Sequence, residues 1–400
     1  MQIDNPPSES TAVPTVRLRA GADKRLRAGH LWIFSNELED GFQELEPGAS
    51  VEVLDHRGRF VGVGTVNPHS LIAVRLLSHD RVEIGESFLR ERIAAAAALR
   101  ERLLPGEKIC RLIYGESDGL PGLIVDRFCG VLVLQSNTAG MDGLLPVIVS
   151  LLSEMFAPQA IVAANDAAVR ELEGIRIYRE VAYGSLEGLI AVEQDGLTFA
   201  IDPLHGQKTG FFLDQRWNRR MLASFVRPGD RILDLFSYSG GFGMYALRAG
   251  AGHVTFVDSS QAALDLIVEN ARRNGFADRV TVERADVFEF VKSPSGTFEV
   301  VVLDPPALAK GRKNVPAALR AYRDLNARAM SWLVPGGILA TASCSGLVHV
   351  DSWLESLREA ARKADRNLRF IARGGQSPDH PVLAAMPETE YLKFMVGVAD

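Results

Sequence analysis

Short apolar runs alternate with amphipathic stretches through the C-terminal half of the chain. "RILDLFS" (231–237), "HVTFVDSS" (253–260), "VTVERADVFEF", "FEVVVLDPP" and "GGILATASCS" read as strands, with "YSGGFGMYALRAG" and "QAALDLIVENARRNG" as helices among them. "RFIARGG" and "YLKFMVGV" add two more strand candidates. Strand–helix alternation of this kind predicts an α/β domain built on a doubly wound parallel sheet, which takes ligands beyond the carboxyl ends of its strands. The middle of the chain carries a helical stretch over 85–104 closed by Pro105-Gly106, a helix near 142–156 and strands around 160–193, an α+β layer. Nearer the N-terminus, "ASVEVLDHRGRFVGVGTVNP" and "LIAVRLLS" place strands about a hairpin turn at Asp55–Gly58, which predicts a small β-barrel. The pattern divides the chain into a disordered tail (1–14), a barrel (15–82), a central α+β domain (83–195) and an α/β domain (196–400).

Composition supports several domains. Four hundred residues, 47% hydrophobic and 24% charged, suit two or three globular cores. No apolar run reaches the length of a membrane span, and the polar start "MQIDNPPSESTAVP" lacks the basic and apolar regions of a secretory signal. Cys110, Cys129 and Cys344 form neither a disulfide framework nor a metal-binding pair, so the expectation is a reducing cytoplasm and no metal. Cys110 and Cys129 read as core residues. A net charge of −6 excludes indiscriminate coating of nucleic acid. A local cluster nevertheless stands out: Arg17, Arg19, Lys24, Arg25 and Arg27, followed by His30 and Trp32. Cations beside an aromatic suit RNA, phosphates on one and bases on the other.

The α/β half carries the cofactor signal. Gly240, Gly241 and Gly243 do not match the G-x-G-x-x-G turn that holds a dinucleotide pyrophosphate. Acids instead end successive strands: Asp234, Asp258, Asp286 and Asp304. Any one of them reads as a cap or turn residue, but four in series point to a ligand site. Asp258, with Ser259 beside it, is placed for ribose hydroxyls, Asp234 for a methionine ammonium, and Asp286-Val287 for an adenine edge. Phe236, Ser237 and Gly240 line the turn between the first strand and its helix. With no phosphate-binding turn, S-adenosylmethionine is favoured over NAD.

Asp304 and Cys344 end the fourth and fifth strands, so a parallel sheet directs both into one crevice. A thiolate there could add to C6 of a cytosine, activate C5 for methylation, and be expelled after a base removes the C5 proton.

These motifs carry a specific likeness. "HGQKTGFFLDQRWNR" (205–219), "DLFSYSGGFG" (234–243), "LDPP" (303–306) and "SCSG" (343–346) resemble the RlmI-like family of S-adenosylmethionine-dependent ribosomal RNA methyltransferases, over residues 15–398. The resemblance implies an N-terminal PUA domain that binds RNA, a linker domain and a Rossmann-type catalytic domain. It also implies methylation of a cytosine C5 in large-subunit ribosomal RNA, with Cys344 as nucleophile and Thr209, Asp214, Gln215 and Arg216 bordering the cofactor. Two departures matter. Ala307 stands where many RNA cytosine methyltransferases have a second cysteine, which makes Asp304 the candidate base or orienting group; Leu308 stands where the family tends to have an aromatic. The competing expectations are methylation of guanine or adenine without a covalent intermediate, and a noncatalytic RNA-binding or ribosome-assembly protein. Ribosomal RNA is the expected partner, with no membrane and with homodimer formation left open.

Overall fold

The computed structural model describes residues 13–292, 296–309 and 311–400. Of the tail expected over 1–14, all but the last two residues lie outside the described residues. The described residues form two compact units, one within 1–106, 112–186 and 383–386, the other within 107–111, 187–382 and 387–400.

The first unit begins with β1 (Thr15–Arg17), β2 (Trp32–Phe34), β3 (Ser50–Leu54), β4 (Phe60–Val66) and β5 (Ile72–Ser78), in the order β1-β3-β4-β5-β2. The glycines of β4 are required by close packing. A Cβ on Gly62 would meet the Ser78 carbonyl oxygen at 2.6 Å, and one on Gly64 the Arg75 carbonyl oxygen at 2.2 Å. Val51, Val53, Ile33 and Leu76 fill the interior. A second sheet follows: β6 (Ile109–Tyr114), β7 (Leu123–Phe128), β8 (Val131–Ser136), β9 (Ala160–Asn165) and β10 (Tyr178–Gly184), ordered β10-β9-β8-β7-β6. A buried ion pair ties this region to the barrel. Arg75 Nη2 lies 2.7 Å from Glu173 Oε1, and the same carboxylate accepts from Asn67 Nδ2, Ser70 Oγ and the Ala139 amide. Removing either member would strand the other charge in the interior.

The second unit opens with the hairpin β11 (Ile190–Gln194) and β12 (Leu197–Ile201). It continues with β13 (Arg231–Leu235), β14 (His253–Asp258), β15 (Val280–Arg284), β16 (Phe298–Leu303), β17 (Leu333–Ser343), β18 (Leu368–Gly374) and β19 (Lys393–Ala399). Their order is β15-β14-β13-β16-β17-β19-β18. The first five are mutually parallel, and β13 lies at the point where the strand order reverses, which opens a crevice beyond its end. Ile232, Leu233 and Val300 to Leu303 are fully buried, as expected of strands covered on both faces.

Three expectations change. The sheet is not wholly parallel, because β19 runs antiparallel to both β17 and β18. The boundary between units falls at 186/187, ahead of the β11–β12 hairpin, whereas a break at 195/196 would cut its turn, where Asp195 and Gly196 both have positive φ. Cys129 is not a core residue. It is exposed, at φ 56° in the turn between β7 and β8, whereas Cys110 is buried. An apolar-looking segment does not distinguish a strand from the tight turn that ends it. Among the described residues no helix is long and apolar enough to cross a membrane.

Close packing at β4 has a measurable consequence. Gly64→Ala should destabilise the protein by about 1–3 kcal/mol, since the obstructing atom is backbone and cannot rotate away. Gly143→Ala, whose Cβ would meet nothing within 4 Å, should stay within about 0.5 kcal/mol. Urea midpoints of the two variants test the difference.

Candidate active site

The turn after β13 is the most constrained backbone in the second unit. Phe236, Tyr238 and Gly240 have φ of 60°, 47° and 79°, so two non-glycine residues are held in the left-handed region. Three neighbours hold them there. Asp234 Oδ2 accepts the Gly243 amide at 2.9 Å, Asp258 Oδ2 accepts the Tyr238 amide at 2.9 Å, and Ser237 Oγ donates to the Val257 carbonyl at 3.2 Å. Asp258 Oδ1 also accepts the Ser260 amide at 2.9 Å. The half-buried Asp258 carboxylate retains lone pairs for a ribose diol. The Tyr238 hydroxyl donates to the Gly210 carbonyl at 3.1 Å and accepts the Gln207 amide at 3.2 Å, which pins the loop carrying Lys208 and Thr209.

Three carboxylates and one guanidinium dominate the electrostatics beneath this turn. Burial pushes Asp234 up to about 8, reinforced by the Asp304 charge and opposed by the Gly243 amide. Burial and the Asp214 charge push Asp304 up to about 7, although Gln215 Nε2 donates to its Oδ2 at 3.0 Å. Burial also works against ionised Asp214, but the charges of His380 and Lys208 and the hydroxyl of Tyr391 hold it below the usual range. Burial lowers Arg219, which lies within electrostatic reach of Asp214, Asp304 and Asp234.

Cys344 follows directly after β17, as Asp304 follows the adjacent β16. Its two serine neighbours face the protein. Ser343 Oγ donates to the Tyr322 hydroxyl at 3.0 Å, while Ser345 Oγ lies 3.0 Å from that hydroxyl and accepts the Leu308 and Ala309 amides. The serines therefore tie the end of β17 to the segment after Pro305-Pro306. The half-buried thiol lies 3.7 Å from the Pro305 carbonyl oxygen. Burial, then the charge of Asp304, pushes it up to about 12, with Lys208 pulling the other way. Lys393 interacts with Cys344 from β19, its Nζ donating to the carbonyls of Ser345 and Tyr391.

The predicted residues do not all converge. Asp234, Asp304, Asp214 and Gln215 gather around Arg219, with Cys344 in electrostatic reach of Asp304 and Asp214; Thr209 is buried in the pinned loop. Arg216 is a correction. Its guanidinium is wholly buried, bonded to Glu107 at 3.0 Å and to the Ile109 carbonyl, 4.0 Å from Asp379. It secures the 107–111 segment and leaves nothing for a cofactor. The helix Arg216–Ala223 explains why: Gln215 and Arg219 are four residues apart and share a face, while Arg216 is turned about 100° away. Asp286 is exposed and caps the helix Val287–Phe290 through the Phe288 and Glu289 amides, Val287 is core, and Ser259 is exposed.

The N-terminal cations are also largely matched by acids. Arg17 lies 3.9 Å from Glu39, Arg19 3.7 Å from Asp40 and Arg25 2.9 Å from Glu37, while Arg27 pairs with both Asp23 and Asp55. Lys24 is exposed, with no ion pair to a described residue. Arg219, Lys208, Tyr238 and Lys393 were not singled out from sequence, though the first three lie inside the quoted motifs.

The arrangement fits S-adenosylmethionine. Gly241 leaves a cradle that a Cβ would fill, Asp258 offers acceptors at its side, and two nitrogens of Arg219 are buried without a hydrogen-bond partner. Comparison with known proteins agrees. A family model described as "S-adenosylmethionine-dependent methyltransferase" matches residues 178–394, and one described as "PUA-like domain" matches residues 16–79. The chain is 40% identical over 390 residues to "Ribosomal RNA large subunit methyltransferase I" of Shewanella amazonensis, covering 96% of this chain and 98% of that one. Among solved structures it resembles a candidate S-adenosylmethionine-dependent methyltransferase from Streptococcus mutans, with TM-score 0.83, 18% identity, and coverage of 96% of this chain and 100% of that one. A candidate methyltransferase in complex with SAH gives TM-score 0.84 at 17% identity with the same coverages. At these identities the structural likeness shows the fold. The expected PUA-like barrel, Rossmann-type catalytic fold and S-adenosylmethionine cofactor are borne out.

Asp234 makes stability depend on pH in a predictable direction. A carboxyl raised from 3.8 to about 8 on folding contributes stability that is complete below about 4 and is lost as pH rises through about 8. In cofactor-free protein, melting temperature should therefore fall more steeply between pH 5 and 9 in the wild type than in Asp234→Asn. Parallel curves would show that Asp234 is ionised throughout.

Proposed function

The chain belongs to the S-adenosylmethionine-dependent methyltransferase family that includes the large-subunit ribosomal RNA methyltransferases I, and from that premise we propose that it methylates C5 of a cytosine in large-subunit ribosomal RNA through a covalent bond between Cys344 and C6. The observation that carries this reading is the pair Asp304 and Cys344, each one residue past the end of neighbouring parallel strands, with the flanking serines turned inward so that the thiol is the reactive group left to the crevice.

Bound S-adenosylmethionine supplies an electrophilic methyl group on a positively charged sulfur. The chain's task is to make C5 nucleophilic. At neutral pH, Cys344 is a thiol, so attack requires loss of its proton as the S–C6 bond forms and the C5–C6 π electrons shift toward C5. Asp304, raised to about 7, is matched to accept that proton near neutrality. Passing it to the ring nitrogen N3, which gains electron density on attack, leaves Asp304 ionised. After methylation the same carboxylate takes the C5 proton, the C5–C6 double bond re-forms and Cys344 leaves as thiolate; the proton held on N3 then returns to that thiolate, which restores the neutral base and the resting thiol. Lys393 and Lys208 are the cations that favour this leaving group. Asp258 and the Gly240–Gly243 turn hold the cofactor, with Thr209, Asp214, Gln215, Phe236 and Ser237 bordering it.

The barrel of residues 15–82 would dock RNA, with Lys24 making the direct phosphate contact and Arg17, Arg19 and Arg27 joining it where RNA displaces their surface acids. Ribosomal RNA as substrate places the protein in the cytoplasm.

Transfer of labelled methyl groups to ribosomal RNA from cells lacking this protein tests the proposal. The product should be 5-methylcytidine, and Cys344→Ala should reduce the rate on the order of 10³-fold or more. Full activity of that variant, or a methylated purine, would favour the mechanism without a covalent bond. Asp304→Asn separates charge from catalysis. It should slow methyl transfer yet speed alkylation of Cys344 by iodoacetamide in the cofactor-free protein, since the negative charge that raises the thiol is gone. Unchanged alkylation would show that Asp304 does not control the nucleophile.

A further inference from the structure

Arg219 is an anomaly in the packing of the second unit. It is 4% exposed, its guanidinium carbon 4.5 Å from the centroid of Phe211 and 5.9 Å from that of Phe242. Its Nε and Nη1 are buried with no hydrogen-bond partner among the described residues. Arg216, three positions earlier on the same helix and equally hidden, reaches a carboxylate at 3.0 Å and a backbone carbonyl. Arg75 in the first unit is bonded to Glu173 at 2.7 Å. Buried guanidinium donors are almost always satisfied, because an unpaired buried charge is costly. The missing partner of Arg219 is therefore an acceptor brought from outside.

Position narrows what that acceptor is. The guanidinium lies against the glycine turn, where a Cβ on Gly241 would come within 2.5 Å of Nε and 2.9 Å of Nη2. Asp214, Asp304 and Asp234 act on it electrostatically, but none reaches it by hydrogen bond. Asp234 uses one oxygen on the Gly243 amide, and its other oxygen makes no hydrogen bond to a described residue. A hidden cation with open donors thus lies close to a hidden carboxylate with an open acceptor. A ligand that answers both carries an anion and a cation a short distance apart. An RNA phosphate carries no cation and meets three carboxylates here. The α-amino acid end of the cofactor has the required pair, a carboxylate and an ammonium on one carbon.

We propose that Arg219 is the receptor for the α-carboxylate of S-adenosylmethionine, paired with Asp234 as receptor for the ammonium, so that the cofactor's amino acid end completes an ion-pair network the protein leaves open. Selectivity follows: the site discriminates against adenosyl sulfonium compounds that lack the carboxylate. The inference rests on S-adenosylmethionine as cofactor and not on which base is methylated.

Calorimetry on the full chain tests it with four ligands: S-adenosylmethionine, S-adenosylhomocysteine, decarboxylated S-adenosylmethionine and 5′-methylthioadenosine. The wild type should bind S-adenosylmethionine about 10- to 100-fold more tightly than its decarboxylated form, the range for loss of a charge-assisted hydrogen-bonded pair. Arg219→Met should lose affinity for the two carboxylate-bearing ligands and keep that for the other two, erasing the discrimination. Equal wild-type affinity for S-adenosylmethionine and its decarboxylated form would overturn the proposal without any variant. Equal weakening of all four ligands in Arg219→Met would assign Arg219 to packing alone, and overturn it too. None of these readouts depends on RNA, so failure of the cytosine mechanism leaves them unaffected.

Discussion

Burying three carboxylates around a single guanidinium is costly, and the cost shapes the whole crevice of the second unit. Asp234, Asp304 and Asp214 cannot all ionise freely at such depth, so the protein distributes the burden. Asp214 keeps its charge with help from His380, Lys208 and Tyr391, while Asp234 and Asp304 titrate near neutrality. Cys344 shares this negative field and remains a thiol for the same reason. One constraint thus sets a carboxyl that titrates near neutrality within electrostatic reach of a protonated thiol, and leaves Arg219 without a full partner.

Such electrostatics require a rigid frame, and hydroxyls and carboxylates supply it. Asp234 and Asp258 hold the left-handed turn after β13 by accepting its amides. Tyr238 carries that order outward to the loop of Lys208. Ser343, Ser345 and Tyr322 lock the end of β17 to the segment after Asp304. The serines around Cys344 thus act as clamps, while the thiol between them makes a 3.7 Å contact to the Pro305 carbonyl. In the first unit the same principle acts on charge of the other sign. Acids neutralise most of the clustered arginines, which turns an apparent basic patch into a mixed surface.

Much of this was legible in the sequence. The strand–helix alternation, the acids ending successive strands and the order of the motifs identify the sheet, its crevice and the cofactor. Local misreadings have physical causes. Cys129 follows an apolar strand, yet the residue after a strand can be the turn itself. Arg216 lies in the right motif but on the wrong face of its helix, a distinction of one position in a 3.6-residue period. Lys393 could not be linked to Cys344 because the pairing of β17 with β19, which sets Ser343 opposite Lys393, joins segments fifty residues apart.

By itself, the sequence determined what repeats locally or recurs as a motif: the alternation that makes a doubly wound sheet, the glycines that allow close approach, and the acids and cysteine at strand ends. Those features depend on neighbours along the chain, so they can be read in order. Only the tertiary structure decided which charges meet. Ionisation, partnership and reactivity depend on distance and dielectric in three dimensions, which no linear spacing specifies. Asp55 and Asp304 are both aspartates in loops at strand ends, yet one is held far down by arginines and backbone amides and the other is lifted to about 7 by burial and a neighbouring carboxylate. The fold, by bringing distant chain segments together around them, assigns these opposite roles.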